Sequence, residues 1–132
     1  MLNEGDFLIW CARLGLTETA CATVAAARSR TPSRHVGGGR RNVSGRYPSR
    51  KMGMTIQFES HRVELPFVYG VEHDPQVLEY YDQPLPIPLA YHAANGKRQS
   101  VMHTPDYFVL RQDSAGWVEC KTPEDLEKLA II

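Results

Sequence analysis

The most informative stretch of the chain reads HTPDYFVLRQDSAGWVECK and covers residues 103–121. Its two apolar runs predict strands at residues 101–110 and 117–121. The polar residues 113–116 between them are typical of a tight turn. The sequence therefore predicts an antiparallel pair of strands near the end of the chain.

Three acids and one lysine stand out around these strands: Asp106, Glu119, Lys121 and, on a predicted helix upstream, Glu64. Residues two apart in a strand point to one face, so Glu119 and Lys121 are predicted to lie side by side. Antiparallel pairing has a register that brings Asp106 to the same face, where Glu64 supplies a third carboxylate. Carboxylates are hard ligands for Mg²⁺ or Mn²⁺, and a bound metal with a nearby lysine is suited to phosphodiester cleavage. Taken without other evidence, Glu119 and Lys121 also fit an ordinary solvated ion pair on an exposed strand face.

The rest of the chain reads as a mixture of helices and strands. A helix that begins near residue 62 tolerates Pro66 in its first turns. The remaining predicted elements are helices at residues 3–16 and 17–27, a strand at 77–81, an extended segment at 85–91, and a helix start at 123. No internal repeat is present. The order after the first two helices is helix, strand, strand, strand and helix start.

Opposite charges divide the chain, although its formal net charge is zero. Residues 1–58 carry nine basic and three acidic side chains, a net charge of +6, and residues 59–132 carry a net charge of −6. Positive runs of this kind are typical of polyanion-binding segments. The candidate DNA-binding residues are Arg28, Arg30, Arg34, Arg40, Arg41, Arg46, Arg50 and Lys51.

Composition limits the class of protein. The 132 residues, 42% of them hydrophobic, suit one globular domain. No apolar run reaches the ~20 residues that span a bilayer, and three scattered cysteines argue against a disulfide scaffold, so we expect a cytoplasmic protein. The arginine-rich segment has a glycine-rich centre at residues 37–41. This centre lacks the Gly-Lys-Ser/Thr ending of a P-loop, which excludes that type of nucleotide hydrolysis. We expect a helical hairpin at 1–27, a basic loop at 28–53 and a core at 54–132.

Five short motifs occur in a fixed order and resemble the N-terminal catalytic domain of TnsA-like endonucleases. They are ESHRVEL (59–65), EHDPQVL (72–78), YDQP (81–84), HTPDYFV (103–109) and ECKT (119–122). The resemblance implies an α/β (α+β), restriction-endonuclease-like fold of the PD-(D/E)xK class. It also implies that the protein cuts DNA at transposon ends beside a DDE-type transposase subunit and an AAA+ ATPase regulator. The location that this implies is the bacterial cytoplasm, in association with the nucleoid.

The resemblance also implies roles for individual residues. Glu64, Asp106, Glu119 and Lys121 match the catalytic positions, and the three carboxylates match the metal-binding ones, with Glu59 as the rival of Glu64. The family core continues beyond the strand that carries Glu119, so we expect this chain to be truncated at its C-terminus. Two alternatives stay open: a non-catalytic DNA-binding or assembly module, and a restriction or repair nuclease of the same fold.

Overall fold

The computed structural model describes residues 1–29 and 45–121, which form three helices and seven strands. The helices are α1 (Glu4–Leu14), α2 (Glu18–Ser29) and α3 (Glu64–His73). The strands are β1 (Gly45–Ser49), β2 (Met54–Phe58), β3 (Val77–Asp82), β4 (Ile87–His92), β5 (Arg98–His103), β6 (Tyr107–Arg111) and β7 (Ala115–Val118). This mixture of helices with antiparallel strands confirms the predicted α+β class. The predicted helix start at residue 123 lies outside the described residues.

Local signals define the two N-terminal helices. The side chain of Asn3 accepts a hydrogen bond from the Asp6 amide at 2.8 Å and caps α1. Gly15 ends the helix in the left-handed conformation at φ 66°, which glycine adopts without steric cost. Phe7 and Trp10 are buried on the inner face of α1. The predicted helical pair is confirmed.

The central sheet is antiparallel and has the order β3-β6-β7. Every residue of β6 from Tyr107 to Leu110 is buried, as expected for a middle strand covered on both faces. The predicted single strand at 101–110 is wrong, because β5 pairs with β4 in a separate hairpin and β6 belongs to the sheet. Pro105 lies at the break, where a missing amide hydrogen prevents continuous pairing.

The predicted basic loop at residues 28–53 is also wrong in part. Residues 45–49 form β1, which pairs with β2 in full register from Gly45 opposite Phe58 to Ser49 opposite Met54. The Ser49 hydroxyl donates to the Glu72 carboxylate on α3, which fixes this hairpin to the body of the protein. The basic and glycine-rich composition of residues 28–53 predicts a loop, and the alternating pattern of this short strand is too weak a signal to outweigh it.

Lys51 holds the end of α3 and does not face solvent as a phosphate contact. Its ammonium donates to the backbone carbonyls of Val71, Asp74 and Val77 at 2.7, 2.8 and 2.7 Å. These three bonds use all three donors of the lysine. The prediction that Lys51 binds DNA is therefore withdrawn.

Arg28 joins α2 to the central sheet. Its guanidinium lies 2.8 Å from Glu79 Oε1, donates to the Leu2 carbonyl at 2.7 Å, and stacks on Phe7 at 4.3 Å from the ring centroid. The side chain is 10% exposed and that of Glu79 is fully buried. Because this ion pair occupies the guanidinium, Arg28 is also removed from the predicted DNA-binding set.

Within residues 1–29 and 45–121, no helix is long and apolar enough to cross a membrane.

Candidate active site

Two carboxylates meet at one end of the central sheet. The register pairs Tyr107 with Val118, so Asp106, just before β6, lies opposite Glu119, just after β7. The Asp106 side chain accepts a hydrogen bond from the Cys120 amide at 2.8 Å. This register sets Asp106 and Glu119 opposite each other, and their roles as catalytic and metal-binding residues stay a prediction.

The position of Lys121 differs in one respect from the prediction. Strand β7 ends at Val118, so Glu119 and Lys121 extend beyond the strand instead of lying on it. The two side chains still face each other, with Lys121 Nζ 3.9 Å from Glu119 Oε2. Both are partly exposed, which leaves them accessible to a ligand.

Glu64 is the first residue of α3, and its side chain is buried against β6. Its Oε1 accepts hydrogen bonds from the Tyr107 hydroxyl at 3.0 Å and the Glu59 amide at 3.3 Å. Ser60 precedes the helix and accepts from the Arg62 and Val63 amides, which fixes the chain at this point. Of the two rival glutamates, Glu64 is the one bonded to the residue that follows Asp106.

Burial and nearby negative charge raise the pKa values of the Glu64 and Asp106 carboxyl groups. Burial raises the pKa of Glu64, and the nearby charge of Asp106 raises it further. Burial is also the main cause of the raised pKa of Asp106, to which Glu119 and Glu59 add, while the Cys120 amide and Lys121 oppose it. The site concentrates negative charge in a partly dry environment, where a cation would be favourable.

His103 is a member of this cluster that the sequence did not assign. Its Nε2 lies 2.5 Å from Glu119 Oε1, at the end of β5. The only signal in the sequence was its position three residues before Asp106. The contact connects the β4–β5 hairpin directly to the candidate site.

The site has the oxygen donors that a hard cation prefers, but its described residues do not form a complete set of metal ligands. Among the described residues, no three His, Cys, Asp or Glu side chains lie close enough together to hold a metal ion. Each carboxylate instead has a protein partner: Tyr107 for Glu64, Cys120 for Asp106, and His103 for Glu119. A three-carboxylate metal set therefore stays a prediction. The opposed pair of Asp106 and Glu119 is the part that the fold already assembles.

The C-terminal half of the chain has a recognisable family. Residues 74–131 match the family model described as TnsA-like endonuclease N terminal. This segment is similar to the N-terminal domain of TnsA-like endonucleases. Asp106, Glu119 and Lys121 lie inside the matched region, whereas Glu64 precedes it. No curated protein matches the chain in sequence.

The remaining predicted DNA-binding residues are only partly described. Arg46 and Arg50 are exposed, on β1 and just after it. The other four, Arg30, Arg34, Arg40 and Arg41, lie outside the described residues. Their role in DNA binding stays a prediction.

Replacing Glu64 with Gln is expected to raise the melting temperature of the protein in EDTA by a few degrees. The variant removes a buried charge beside Asp106 and keeps an oxygen acceptor for the Tyr107 hydroxyl. Because the folded pKa of Glu64 is raised, the parent loses stability as the pH rises above about 4.3, the ordinary glutamate value. The gain should therefore be larger at pH 8 than at pH 5 in thermal melts with EDTA.

The control for that experiment is Asp113→Asn, which removes a charge from an exposed turn residue. Its melting temperature should stay close to that of the parent at both pH values. A lower melting temperature for Glu64→Gln than for the parent at pH 8 would show that the charged form is the favoured one.

Proposed function

We propose that this chain is a metal-dependent DNA endonuclease subunit of a heteromeric transposase, which cuts phosphodiester bonds at transposon ends. The observation that carries the proposal is the register that sets Asp106 opposite Glu119, inside the segment that matches the endonuclease family. A pair of opposed carboxylates with an adjacent lysine suits the chemistry of phosphate esters.

Asp106 and Glu119 would hold Mg²⁺, with Mn²⁺ as a substitute, and Glu64 would complete the set. Mg²⁺ is commonly bound by one or two carboxylates together with water and substrate phosphate, so an open pair of carboxylates fits it. When bound, the ion would supply Lewis-acid stabilisation of phosphate charge and a more acidic water.

The protein's own groups orient this chemistry. The Cys120 amide fixes one oxygen of Asp106, and His103 fixes one oxygen of Glu119. Lys121, near Glu119 and partly exposed, is placed to donate to a phosphate oxygen or to hold the attacking water. Tyr107 holds Glu64 toward the same end of the sheet.

The partners of the proposed enzyme follow from its family. A TnsA-like nuclease is expected to act on DNA beside a DDE-type transposase subunit. An AAA+ ATPase regulator is the third expected member of the complex. Co-purification of the chain with such a transposase tests this part of the proposal independently of activity.

A plasmid-nicking assay tests the proposed activity. We expect the chain to convert supercoiled plasmid to the nicked form with Mg²⁺ or Mn²⁺, and to lose this activity completely in EDTA. Equal nicking with and without EDTA would indicate a contaminating or metal-independent nuclease. The inactive Asp106 variant described in the Discussion provides the matched control.

A non-catalytic DNA-binding module is the second candidate. The observation that favours it is that the described residues do not bring three metal ligands together. This candidate predicts salt-dependent DNA binding with neither nicking nor stabilisation by divalent ions.

A further inference from the structure

The hairpin of β4 and β5, residues 87–103, projects from the body of the protein; we call it the ribbon. Its two strands form a sheet of their own. All residues of β4 after Ile87 and of β5 before His103 are exposed. Isolated two-stranded hairpins are marginally stable in water, so this one is suited to a partner that covers it.

The ribbon lies in the longest acid-free stretch of the acidic half of the chain. Between Asp82 and Asp106 there is no Asp or Glu, whereas residues 59–132 as a whole carry a net charge of −6. The ribbon's cations are Lys97 and Arg98, adjacent to its turn, and both are exposed. The basic tip of the ribbon is therefore complementary to a polyanion.

The tip that carries these cations is held in a defined conformation. The Ala93 amide donates to the Lys97 carbonyl at 2.9 Å, and the Gly96 amide donates to the Ala93 carbonyl at 2.9 Å. The Asn95 side chain accepts from the Lys97 amide at 3.0 Å, and Gly96 has a φ of 81° that favours glycine. A preformed tip loses less entropy when it binds.

The base of the ribbon lies at the candidate active site. Strand β5 ends at His103, which contacts Glu119, and Asp106 follows three residues later. Anything bound along the ribbon is therefore delivered to the same end of the sheet as the two carboxylates.

The size of the ribbon suits duplex DNA. Six residues per strand give a length of about 20 Å at about 3.3 Å per residue. The major groove of B-DNA is about 12 Å wide and admits a two-stranded ribbon. His92 lies directly opposite Arg98 in the ribbon, so a second polar group lies beside the basic tip.

We infer that the ribbon is a DNA-binding element that enters a groove of the duplex, with Lys97 and Arg98 on the phosphates, and so positions the strand to be cut at Asp106 and Glu119. This inference rests on the proposed function, because it names the surface through which the nuclease holds its substrate. It adds a contact surface that is separate from the Arg-rich segment predicted from the sequence.

The test is DNA binding by fluorescence anisotropy with a labelled 30-base-pair duplex in EDTA, over a series of salt concentrations. Lys97→Gln/Arg98→Gln should weaken binding about 10-fold or more at low salt. If both cations contact phosphates, the slope of log affinity against log salt should become shallower by about 1.8. The control is Arg13→Gln.

Arg13 is a suitable control because it is an exposed arginine at the far end of β6. Its guanidinium donates to the Gln112 carbonyl, just beyond that end of the strand, whereas Asp106 precedes the other end. Arg13→Gln should bind DNA like the parent. Equal weakening by Arg13→Gln would show that only net charge matters and would overturn the inference.

Two further outcomes separate this inference from the proposed function. If the double variant binds DNA with the affinity and salt slope of the parent, the ribbon is not the DNA contact, and Mg²⁺-dependent nicking that requires Asp106 still supports the nuclease. The opposite face of the ribbon carries Leu89 and Val101, which are 42% and 51% exposed. Light scattering tests whether the ribbon instead joins two copies of the chain. If the parent is a dimer that Leu89→Ser/Val101→Ser converts to a monomer, and the Lys97/Arg98 variant binds DNA normally, the ribbon is a protein contact and the inference is wrong.

Discussion

Asp106→Asn is expected to lower the rate of Mg²⁺-dependent plasmid nicking by about 100-fold or more, with the fold retained. The change removes the charge that would hold the cation at the end of the sheet, opposite Glu119. Asn keeps an oxygen that accepts the 2.8 Å hydrogen bond from the Cys120 amide, so the local backbone should not move. Initial rates of nicking for parent and variant at equal concentration measure the effect.

Two additional measurements make the result specific to metal binding. The parent should gain melting temperature as Mn²⁺ is added, because an ion that binds only the folded state stabilises it, and Asp106→Asn should gain much less. In EDTA the variant should melt higher than the parent, since the folded pKa of Asp106 is raised and its charge is unfavourable there. DNA binding in EDTA should be preserved.

The control for nicking is Asp113→Asn, in the exposed turn between β6 and β7. It removes the same charge from the same hairpin without touching the site, and its rate should equal that of the parent. If Asp106→Asn retained more than about a tenth of the parental rate, Asp106 would not be a metal ligand, and the nuclease site would have to be sought elsewhere.

The sequence revealed the central part of the site because its geometry depends on local spacing. A short turn between two apolar strands leaves few registers, and alternation of side chains then sets Asp106 opposite Glu119. The helix that begins with Glu64 was predictable from Pro66 and the apolar spacing. What these predictions share is that each depends on residues close together in the chain.

The features that the sequence did not reveal depend on distant residues. Nothing near Arg28 indicates Glu79, which is 51 positions away, and a run of arginines suggests nucleic acid before it suggests a buried ion pair. The predicted strand at 101–110 divides into two strands because its two halves pair with different partners. One of those partners is β4, which in the sequence was recognised only as an extended, proline-rich segment. The contact between His103 and Glu119 spans two sheets, and nothing near His103 in the sequence indicates Glu119 as its partner.

Arg28→Met is expected to destabilise the protein by about 3–5 kcal/mol, the usual cost of leaving one partner of a buried ion pair alone. Burial would by itself raise the pKa of Glu79, but hydrogen bonds from Arg28, Tyr81 and the Leu2 amide outweigh it and hold the pKa below the usual value. Met is unbranched and apolar, so it can still pack on the Phe7 ring over which the Arg28 guanidinium lies. Urea unfolding followed by circular dichroism measures the loss.

The pH dependence of that loss identifies its cause. In the parent, the lowered pKa of Glu79 gives stability that is present above about pH 4.3 and lost as the pH falls. In Arg28→Met the buried carboxyl is free to take up a proton at acidic pH, so the gap between the two proteins should narrow from pH 7 to pH 4. The double variant Arg28→Met/Glu79→Gln removes both charges and should recover part of the stability at pH 7. A double variant no more stable than Arg28→Met, with a gap that does not change with pH, would show that α2 is held by packing and not by this pair.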